Sequence, residues 1–310
     1  MGDVFRVSDE VRGALAAGRP VVALETTAIA HGFPYPRSLE VAAGLDRAVR
    51  EGGALPAFIG VIAGTLTVGL ADEAVERLAS QPDAMKVSRR DLAFAASTGR
   101  DGATTVAATM IAAARAGIAV FATGGIGGVH RGVEQTLDVS ADLEELGRTP
   151  VAVVCAGAKS ILDLPRTMEY LETRGVPVIG YRTGVLPAFY VRESGIAVPH
   201  RVDDAASAAR LVAAQRALGL GAGIVFANPL PEGQALDPRR IEAAIADALG
   251  DAGRSGVGGK DLTPFLLDRI AEITGGESLA ANAALLVNNA AVAARIAVAL
   301  SALDVENAPP

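Results

Sequence analysis

The chain has 310 residues, of which 50% are hydrophobic and 20% are charged, so it can bury a large core without help from disulfides or metal. Its formal net charge of -7 argues against the broad basic surface that binds DNA or RNA polymers. With three histidines and one cysteine, a zinc site of nitrogen and sulfur ligands is not expected, and any metal should be a hard ion such as Mg²⁺ or Mn²⁺ on carboxylates.

Two features bear on where the protein works. Cys155 is the only cysteine and cannot form an internal disulfide, and residues 1–10 lack a basic stretch followed by an apolar core. Both favour a cytoplasmic protein. The most apolar long segment, residues 279–303, is interrupted by polar side chains that would be costly in lipid, so we predict a buried helix there. These side chains are Asn282, Asn288, Asn289 and Arg295.

Six short apolar runs have the length and composition of buried strands. They cover residues 21–24, 58–62, 118–121, 151–155, 176–181 and 223–227. Between them lie segments with apolar residues at helical spacing, such as Val41, Leu45 and Val49, or Ile241 and Ile245. This alternation predicts βαβ crossovers and therefore an α/β fold, a three-layer α/β/α sandwich around a largely parallel sheet.

Several residues predict where helices begin. Ser38, Ser140 and Ser278 each precede a helical pattern, and Asp237 is followed by a proline at the first helical position. No Pro/Ser-rich linker or internal repeat divides the chain, which predicts a single domain over residues 1–310. The glycine-rich residues 250–260 are a candidate mobile loop.

Glu25 ends the first apolar run, at the carboxyl edge of the sheet where open parallel sheets bind ligands. Burial there would raise the pKa of its carboxyl group and suit it to general acid catalysis. A carboxylate satisfied by neighbouring backbone amides explains the position equally well. His31, which follows in the same segment, is interpreted as structural.

Lys159 follows the run at residues 151–155 and should lie at the same edge. A desolvated lysine there can attack an aldehyde carbon and form a Schiff base. The alternative is a lysine that holds a phosphate, and the pattern by itself favours this second role.

Two further segments suit a phosphomonoester. KVSRRD brings together Lys86, Arg89 and Arg90, and GATTVAAT places Thr104 and Thr105 at a predicted helix start. Backbone amides at a helix N-terminus, threonine hydroxyls and a lysine supply the donors that phosphate oxygens need. The alternative is a solvated surface turn followed by an N-cap at Thr104.

FATGGIGGVHRG is the most glycine-rich segment and follows the predicted strand at residues 118–121. Glycines allow the backbone to approach a ligand closely. The spacing is not GxGxxG and no acidic ribose partner is clearly placed downstream, so we do not expect a nicotinamide cofactor. His130 at the end of the segment is by itself more typical of a loop histidine than of a catalytic one.

Carboxylates and amides complete the candidate site. Asp138 and Asp142 lie four residues apart around Ser140, and two carboxylates so close suggest a cation, with Asp138 the metal ligand. Alternatively, Ser140 caps a helix and Asp142 lies favourably at its positive end. Asn282 and Asn289 are two helical turns apart and can face one site.

Together these segments resemble the pseudouridine-5'-phosphate glycosidase family over almost the whole chain, with a long central block from about residue 86 to residue 181. The segments that carry the resemblance are ALETTAIAHGFPYP, KVSRRDLAF, GATTVAATM, FATGGIGGVHRGVEQTLDVSADLEEL, VVCAGAKSILDLPRTMEYLETRGVPVIGY, TPFLL and NNA. The resemblance implies an α/β/α homotrimer that uses a divalent metal such as Mn²⁺ and interconverts pseudouridine 5'-phosphate and water with uracil and ribose 5-phosphate.

The resemblance also implies roles for individual residues. Glu25 matches the family's acid, Asp138 its metal ligand and Lys86 its phosphate-binding lysine. Lys159 matches the nucleophile, against the phosphate role that its pattern favours. The implied substrate pocket contains Thr105, Val106, Thr123, His130, Ser140, Ala141, Asp142 and Asn282.

Three alternative functions remain open at this point. A relative of the indigoidine pathway would act on a different base. A phosphosugar-binding regulatory module would keep Lys86 and the GATT segment but has no use for both Glu25 and Lys159. A nicotinamide-dependent oxidoreductase would require the glycine-rich loop to hold a pyrophosphate.

Overall fold

The structure, a computed structural model, describes residues 3–306 and contains one large sheet. Its strands are β1 (Phe5–Val7), β2 (Val21–Glu25), β3 (Leu55–Ile62), β4 (Thr65–Val68), β5 (Met85–Val87), β6 (Gly102–Thr104), β7 (Val120–Ala122), β8 (Ala152–Cys155), β9 (Val178–Tyr181), β10 (His200–Val202) and β11 (Ile224–Ala227). They are ordered β1-β4-β3-β2-β7-β8-β11-β9-β10, with β6 paired to both β3 and β5.

Helices cover both faces of this sheet. They are α1 (Asp9–Ala16), α2 (Thr27–His31), α3 (Arg37–Glu51), α4 (Asp72–Ser80), α5 (Leu92–Thr98), α6 (Val106–Ala116), α7 (Val133–Thr136), α8 (Ala141–Leu146), α9 (Leu164–Thr173), α10 (Ala205–Ala217), α11 (Pro238–Ser255), α12 (Leu262–Ile273) and α13 (Glu277–Glu306). Short 3-10 helices precede α5 at Arg89–Asp91 and α12 at Gly259–Asp261.

The fold class predicted from the sequence is confirmed. Each of the six apolar runs contains or overlaps a strand, and β2, β7, β8, β9 and β11 pair in parallel. The antiparallel pairs are β3 with β4 and β3 with β6. The strands that periodicity missed, β1, β4, β5, β6 and β10, form no apolar run, because each contains a polar or charged residue such as Arg6, Thr67 or Arg201.

The predicted helix starts were partly right. Ser140 caps α8 by accepting a hydrogen bond from the amide of Asp142, and Asp237 caps α11. Ser38 is wrong as a cap, because α3 begins at Arg37 and buries the Ser38 hydroxyl without a hydrogen-bond partner in the described chain. Ser278 is wrong as well, because α13 begins one residue earlier and Ser278 lies in its first turn.

Helix α13 is the buried helix predicted at residues 279–303. By length and composition it could cross a membrane, but 56% of its most apolar window is buried inside the protein. It packs against α3 and α10 and lies on β2, β7 and β8. Asn288 and Asn289 of this helix form hydrogen bonds within the protein, which satisfy their polar groups.

The prediction of a mobile loop at residues 250–260 was wrong for its first half. Residues 250–255 are the last turns of α11, which ends at Gly256 with φ +65°. This left-handed conformation favours glycine and terminates the helix. The rest of the segment connects α11 to α12 and brings Gly259 to the wall of the pocket described next.

Candidate active site

A pocket of about 440 Å³ lies at the carboxyl edge of the sheet, and every residue that the family resemblance implies as catalytic, substrate-binding or metal-binding lines it. Its volume is typical of a site for a small organic molecule. Glu25 ends β2, Thr123 follows β7 and Lys159 follows β8, so three neighbouring strands of the sheet position these residues. Lys86 reaches the pocket from β5, and Asn282 from α13.

Glu25 is almost completely buried, with 8% of its surface exposed. Its carboxylate accepts a hydrogen bond from the Thr123 hydroxyl, so the alternative of a carboxylate satisfied by backbone amides does not describe it. Burial raises its pKa from 4.5 to about 7, although the charge of Lys159 and the Thr123 hydrogen bond each lower it. Near neutral pH Glu25 is therefore present in both protonation states, as a general acid requires.

Lys159 lies in the loop after β8, and its Nζ donates a hydrogen bond to the carbonyl oxygen of Gly125, 3.1 Å away. The backbone amide of Lys159 also donates to the carbonyl of Ile126, so the glycine-rich loop holds this residue at two points. Its charge reaches both Glu25 and Lys86, whose pKa values it lowers. The general acid and the nucleophile that the family resemblance implies therefore interact electrostatically with each other.

The Lys86 side chain is largely buried, and burial together with the charge of Lys159 lowers its pKa. The positive charge of Lys159 acting on largely buried Lys86 favours an anionic ligand near the two lysines. Arg89 belongs to the same basic segment and lines the pocket, but it forms a bidentate ion pair with buried Glu145, with Nε to Oε2 at 2.5 Å and Nη2 to Oε1 at 2.9 Å. Arg89 therefore anchors the segment to α8.

The prediction that the GATT segment lies at a helix start is right for Thr105, the N-cap residue of α6, but not for Thr104. Gly102–Thr104 is strand β6, and the Thr104 hydroxyl donates to the carbonyl oxygen of Ile59 at 2.6 Å, so Thr104 is not an N-cap. Helix α6 begins at Val106 after Thr105. The Thr105 hydroxyl is buried, lines the pocket and has no hydrogen-bond partner within residues 3–306, which leaves it available to a ligand.

Asp142 does not need a cation to explain its burial. Its Oδ1 accepts from the amide of Ala107 at 3.0 Å and its Oδ2 from the amide of Gly127 at 2.8 Å. It therefore ties the start of α6 to the glycine-rich loop and uses one amide that was predicted to be available for phosphate. A Cβ at Gly127 would lie 2.1 Å from the Ser140 hydroxyl, so this close approach requires glycine. Ser140 and Ala141 line the pocket beside it.

Asp138 and His130 are cross-strand neighbours in the excursion between β7 and α8, where the His130 amide donates to the carbonyl of Asp138 at 3.0 Å. Within residues 3–306 the Asp138 carboxylate accepts no hydrogen bond, and both side chains line the pocket. Burial lowers the pKa of His130 below its usual value. No group of three or more His, Cys, Asp and Glu residues that could by itself hold a metal ion occurs in the described chain.

Among the pocket residues that were not predicted as functional, His31 and Phe189 have unusual features. His31 ends α2, and its buried Nε2 lines the pocket without a hydrogen-bond partner in the part of the chain that the structure describes. Burial and the nearby charge of Lys86 lower its pKa. Phe189 has a φ of +57° and brings its ring to the pocket wall. Only the proximity of His31 to Glu25 in the chain pointed to it, and nothing in the sequence marked Phe189.

The two asparagines of α13 behave differently. Asn282 lines the pocket, whereas Asn289 is fully buried behind it and binds backbone carbonyl groups. The prediction that both could face one site is right for Asn282 only, because Asn289 contacts the backbone behind the pocket.

The whole of this architecture matches known proteins. The family model of indigoidine synthase A like proteins matches residues 10–299. A pseudouridine-5'-phosphate glycosidase of Sorangium cellulosum is 58% identical over 98% of this chain and 96% of its own. One of Methylobacterium nodulans is 57% identical over 94% of this chain and 86% of its own.

Solved structures give the same result. The prealnumycin C-glycosynthase AlnA, whose structure contains ribulose 5-phosphate, superposes with a TM-score of 0.90 at 45% identity and covers 99% of this chain and 100% of its own. An indigoidine synthase A-like protein of Thermotoga maritima superposes with a TM-score of 0.88 at 35% identity, over 96% of this chain and 97% of its own. The chain therefore belongs to the pseudouridine-5'-phosphate glycosidase family of enzymes, within the indigoidine synthase A like proteins.

Proposed function

We propose that this enzyme reversibly cleaves the carbon-carbon bond of pseudouridine 5'-phosphate to give uracil and ribose 5-phosphate, through ring opening and a Schiff base on Lys159. The observation that carries the proposal is the pairing of Lys159 with Glu25, a buried carboxyl group whose pKa is raised to about 7, in one pocket that also contains Lys86. A module that only bound phosphosugars would need neither the acid nor the second lysine.

The linkage determines which chemistry is needed. Uracil is attached to C1' of the ribose through carbon, so the usual route of protonating a glycosidic oxygen is not available. Protonated Glu25 donates its proton to the ring oxygen as the bond between that oxygen and C1' breaks, and electrons of the uracil ring stabilise the cationic C1'. The neutral amine of Lys159 then forms a bond to C1' and loses a proton.

Cleavage follows from this adduct. C5 of uracil takes up a proton as the C1'–C5 bond breaks, and the nitrogen lone pair of Lys159 completes a C=N bond to C1'. Water then hydrolyses this Schiff base, releasing ribose 5-phosphate and restoring the lysine. Ring opening and adduct formation require the acid and the amine near the same C1', and Glu25 and Lys159 come from β2 and β8, the two strands on either side of β7.

We also propose a divalent cation, Mn²⁺ or Mg²⁺, at Asp138. These ions are commonly held by one or two carboxylates with water completing the coordination shell, and Asp138 is a pocket carboxylate that accepts no hydrogen bond from the described residues. Each carboxylate oxygen of Asp142 already accepts a hydrogen bond from a backbone amide, so we assign the cation to Asp138. A bound cation would supply positive charge to polarise the uracil.

Asp138→Ala should abolish most Mn²⁺ binding and lower cleavage by about 10²-fold or more, because the pocket then loses its available carboxylate. Electron paramagnetic resonance of free Mn²⁺ measures binding without reference to activity. Glu134→Ala is the matched control. It removes an exposed carboxylate that is ion-paired to Arg166 and lies in the same segment between β7 and α8, and it should leave Mn²⁺ binding unchanged. Undiminished Mn²⁺ affinity in Asp138→Ala would contradict the assignment.

The phosphate site is proposed to combine Lys86 with the unpaired hydroxyl of Thr105 and the Nε2 of His31. Buried polar groups of this kind normally have a partner, and a phosphate oxygen supplies one. His31→Phe should raise KM about 10-fold, as expected for one lost hydrogen bond to a charged group, and should change kcat little. Steady-state kinetics on the phosphorylated substrate tests this; unchanged KM would remove His31 from the site.

The function itself is tested by incubating the enzyme with Mn²⁺ and pseudouridine 5'-phosphate and following uracil by chromatography. Uracil release supports the proposal, and its absence would instead favour carbon-glycoside chemistry on a different base. Unphosphorylated pseudouridine is the control and should be a poor substrate, because the cationic end of the pocket then has no anion to bind.

The cellular setting belongs to the same proposal. We place the enzyme in pseudouridine catabolism in the cytoplasm, consistent with its single cysteine, Cys155, which is buried. We expect a homotrimer in solution, which light scattering measures directly.

A further inference from the structure

Asn289 is a fully buried amide that contacts the backbone of the active-site loop from behind. Its Nδ2 donates to the carbonyl oxygen of Thr123 at 2.8 Å and to that of Gly124 at 3.3 Å. Its Oδ1 accepts from Nδ2 of Asn228, which follows β11, at 2.8 Å. Side-chain amides at such depth are costly unless satisfied, and here both hydrogen-bonding ends of Asn289 are used.

The segment that Asn289 holds, Thr123–Gly125, connects the two proposed reacting groups. At one end the Thr123 hydroxyl donates to the Glu25 carboxylate. At the other end the carbonyl of Gly125 accepts from Nζ of Lys159 at 3.1 Å. A shift of these three residues therefore changes the position of the acid and of the nucleophile together.

The fit between this segment and α13 is close. A Cβ at Gly124 would lie 3.1 Å from a methyl carbon of Leu285 and 3.4 Å from Oδ1 of Asn282, so glycine lets the backbone approach the helix. The same helix face that supplies Asn282 to the pocket thus supplies Asn289 to the backbone behind it, two turns away.

We propose that Asn289, oriented by Asn228, is a positioning residue that fixes the Thr123–Gly125 segment and through it the relative placement of Glu25 and Lys159. The inference rests on the proposed roles of those two residues. It predicts an effect on the chemical step, because misplacement of reacting groups by about 1 Å can cost about 10²-fold in rate. Phosphate binding, which uses other residues, should be spared.

Asn289→Leu tests this, because leucine keeps the branched shape of the side chain and removes its hydrogen-bond donors and its acceptor. We expect kcat to fall about 10²-fold with KM within about threefold. Asn288→Leu is the matched control on the same helix, since the Asn288 amide donates to the carbonyl of Pro229 instead, and its kcat should stay near wild type. Asn228→Ala, which leaves Asn289 in place, should lower kcat in the same direction but less, and serves if Asn289→Leu fails to fold.

Titration of the Glu25 carboxyl group by NMR gives a readout that does not need turnover. The groups that act on Glu25 are Lys159 and the Thr123 hydroxyl, which lower its pKa, with Lys86 acting the same way and Asp142 opposing it. A released segment loosens Thr123 and Lys159, so the Glu25 pKa should rise in Asn289→Leu and remain unchanged in Asn288→Leu.

The outcomes separate this inference from the proposed function. A wild-type enzyme that releases no uracil would overturn the proposed function, and the Glu25 titration would still decide the positioning role. A folded Asn289→Leu variant with wild-type kcat and an unchanged Glu25 pKa would overturn the positioning role alone. An equal loss of kcat in Asn288→Leu would also overturn it, since the effect would then come from general packing of α13.

Discussion

Lys159→Ala is expected to lower cleavage of pseudouridine 5'-phosphate by about 10⁴-fold or more, because the residual enzyme has no amine to trap C1'. Binding of the substrate should weaken by no more than about 10-fold, since Lys86 remains in the pocket. Borohydride added during turnover, followed by intact mass measurement, should show a ribose-phosphate adduct on the wild-type protein and none on the variant.

Two lysine variants distinguish the nucleophile from a phosphate ligand. Lys159→Arg keeps a cation but cannot form a Schiff base, so it should be as inactive as the alanine variant. Lys86→Ala should raise KM and still be trapped by borohydride, because Lys159 is intact. Substantial activity in Lys159→Arg would contradict the covalent step and restore the phosphate role that the sequence pattern favours.

The position of Lys159 could be predicted from the sequence, but its chemical role could not. Its place at a strand end followed from the apolar run before it, because parallel strands present their carboxyl ends along one edge. Its chemical role did not follow, since a lysine in a turn of small residues is more typical of a phosphate site. The structure adds its hydrogen bond to Gly125 and its electrostatic contact with Glu25, which bring it next to a suitable acid.

Other features could not be predicted because they depend on contacts between distant segments. Asp142 was interpreted as a carboxylate beside the metal ligand Asp138 or as a charge at the start of a helix. It does lie in the first turn of α8, but its carboxylate also connects the amides of Ala107 and Gly127, which the sequence could not show. Asn289 looked like a second pocket amide, whereas it holds the backbone behind the pocket. Periodicity reports which face of a helix is buried, but not which backbone groups meet it there.

Glu25→Gln is expected to lower kcat by about 10²- to 10⁴-fold, because glutamine cannot donate a proton to the ring oxygen. The direction in which the activity of the wild-type enzyme changes with pH follows from the same role. The raised pKa of Glu25, about 7, means that the carboxyl group is protonated below pH 7 and ionised above it. Since the acid form is the active one, kcat/KM should fall as the pH rises through about 7. This fall is the alkaline limb of the pH profile, and Glu25→Gln should lose it.

Two neighbours of Glu25 should move this limb in opposite directions. Thr123→Val removes a hydrogen bond that lowers the Glu25 pKa, so the alkaline limb should move to higher pH. Asp142→Asn removes a charge that raises the pKa, so the limb should move to lower pH. Initial rates from pH 5 to 9 measure both shifts. If Thr123→Val and Asp142→Asn kept the wild-type limb, another group would control it, and the acid would have to be sought elsewhere in the pocket.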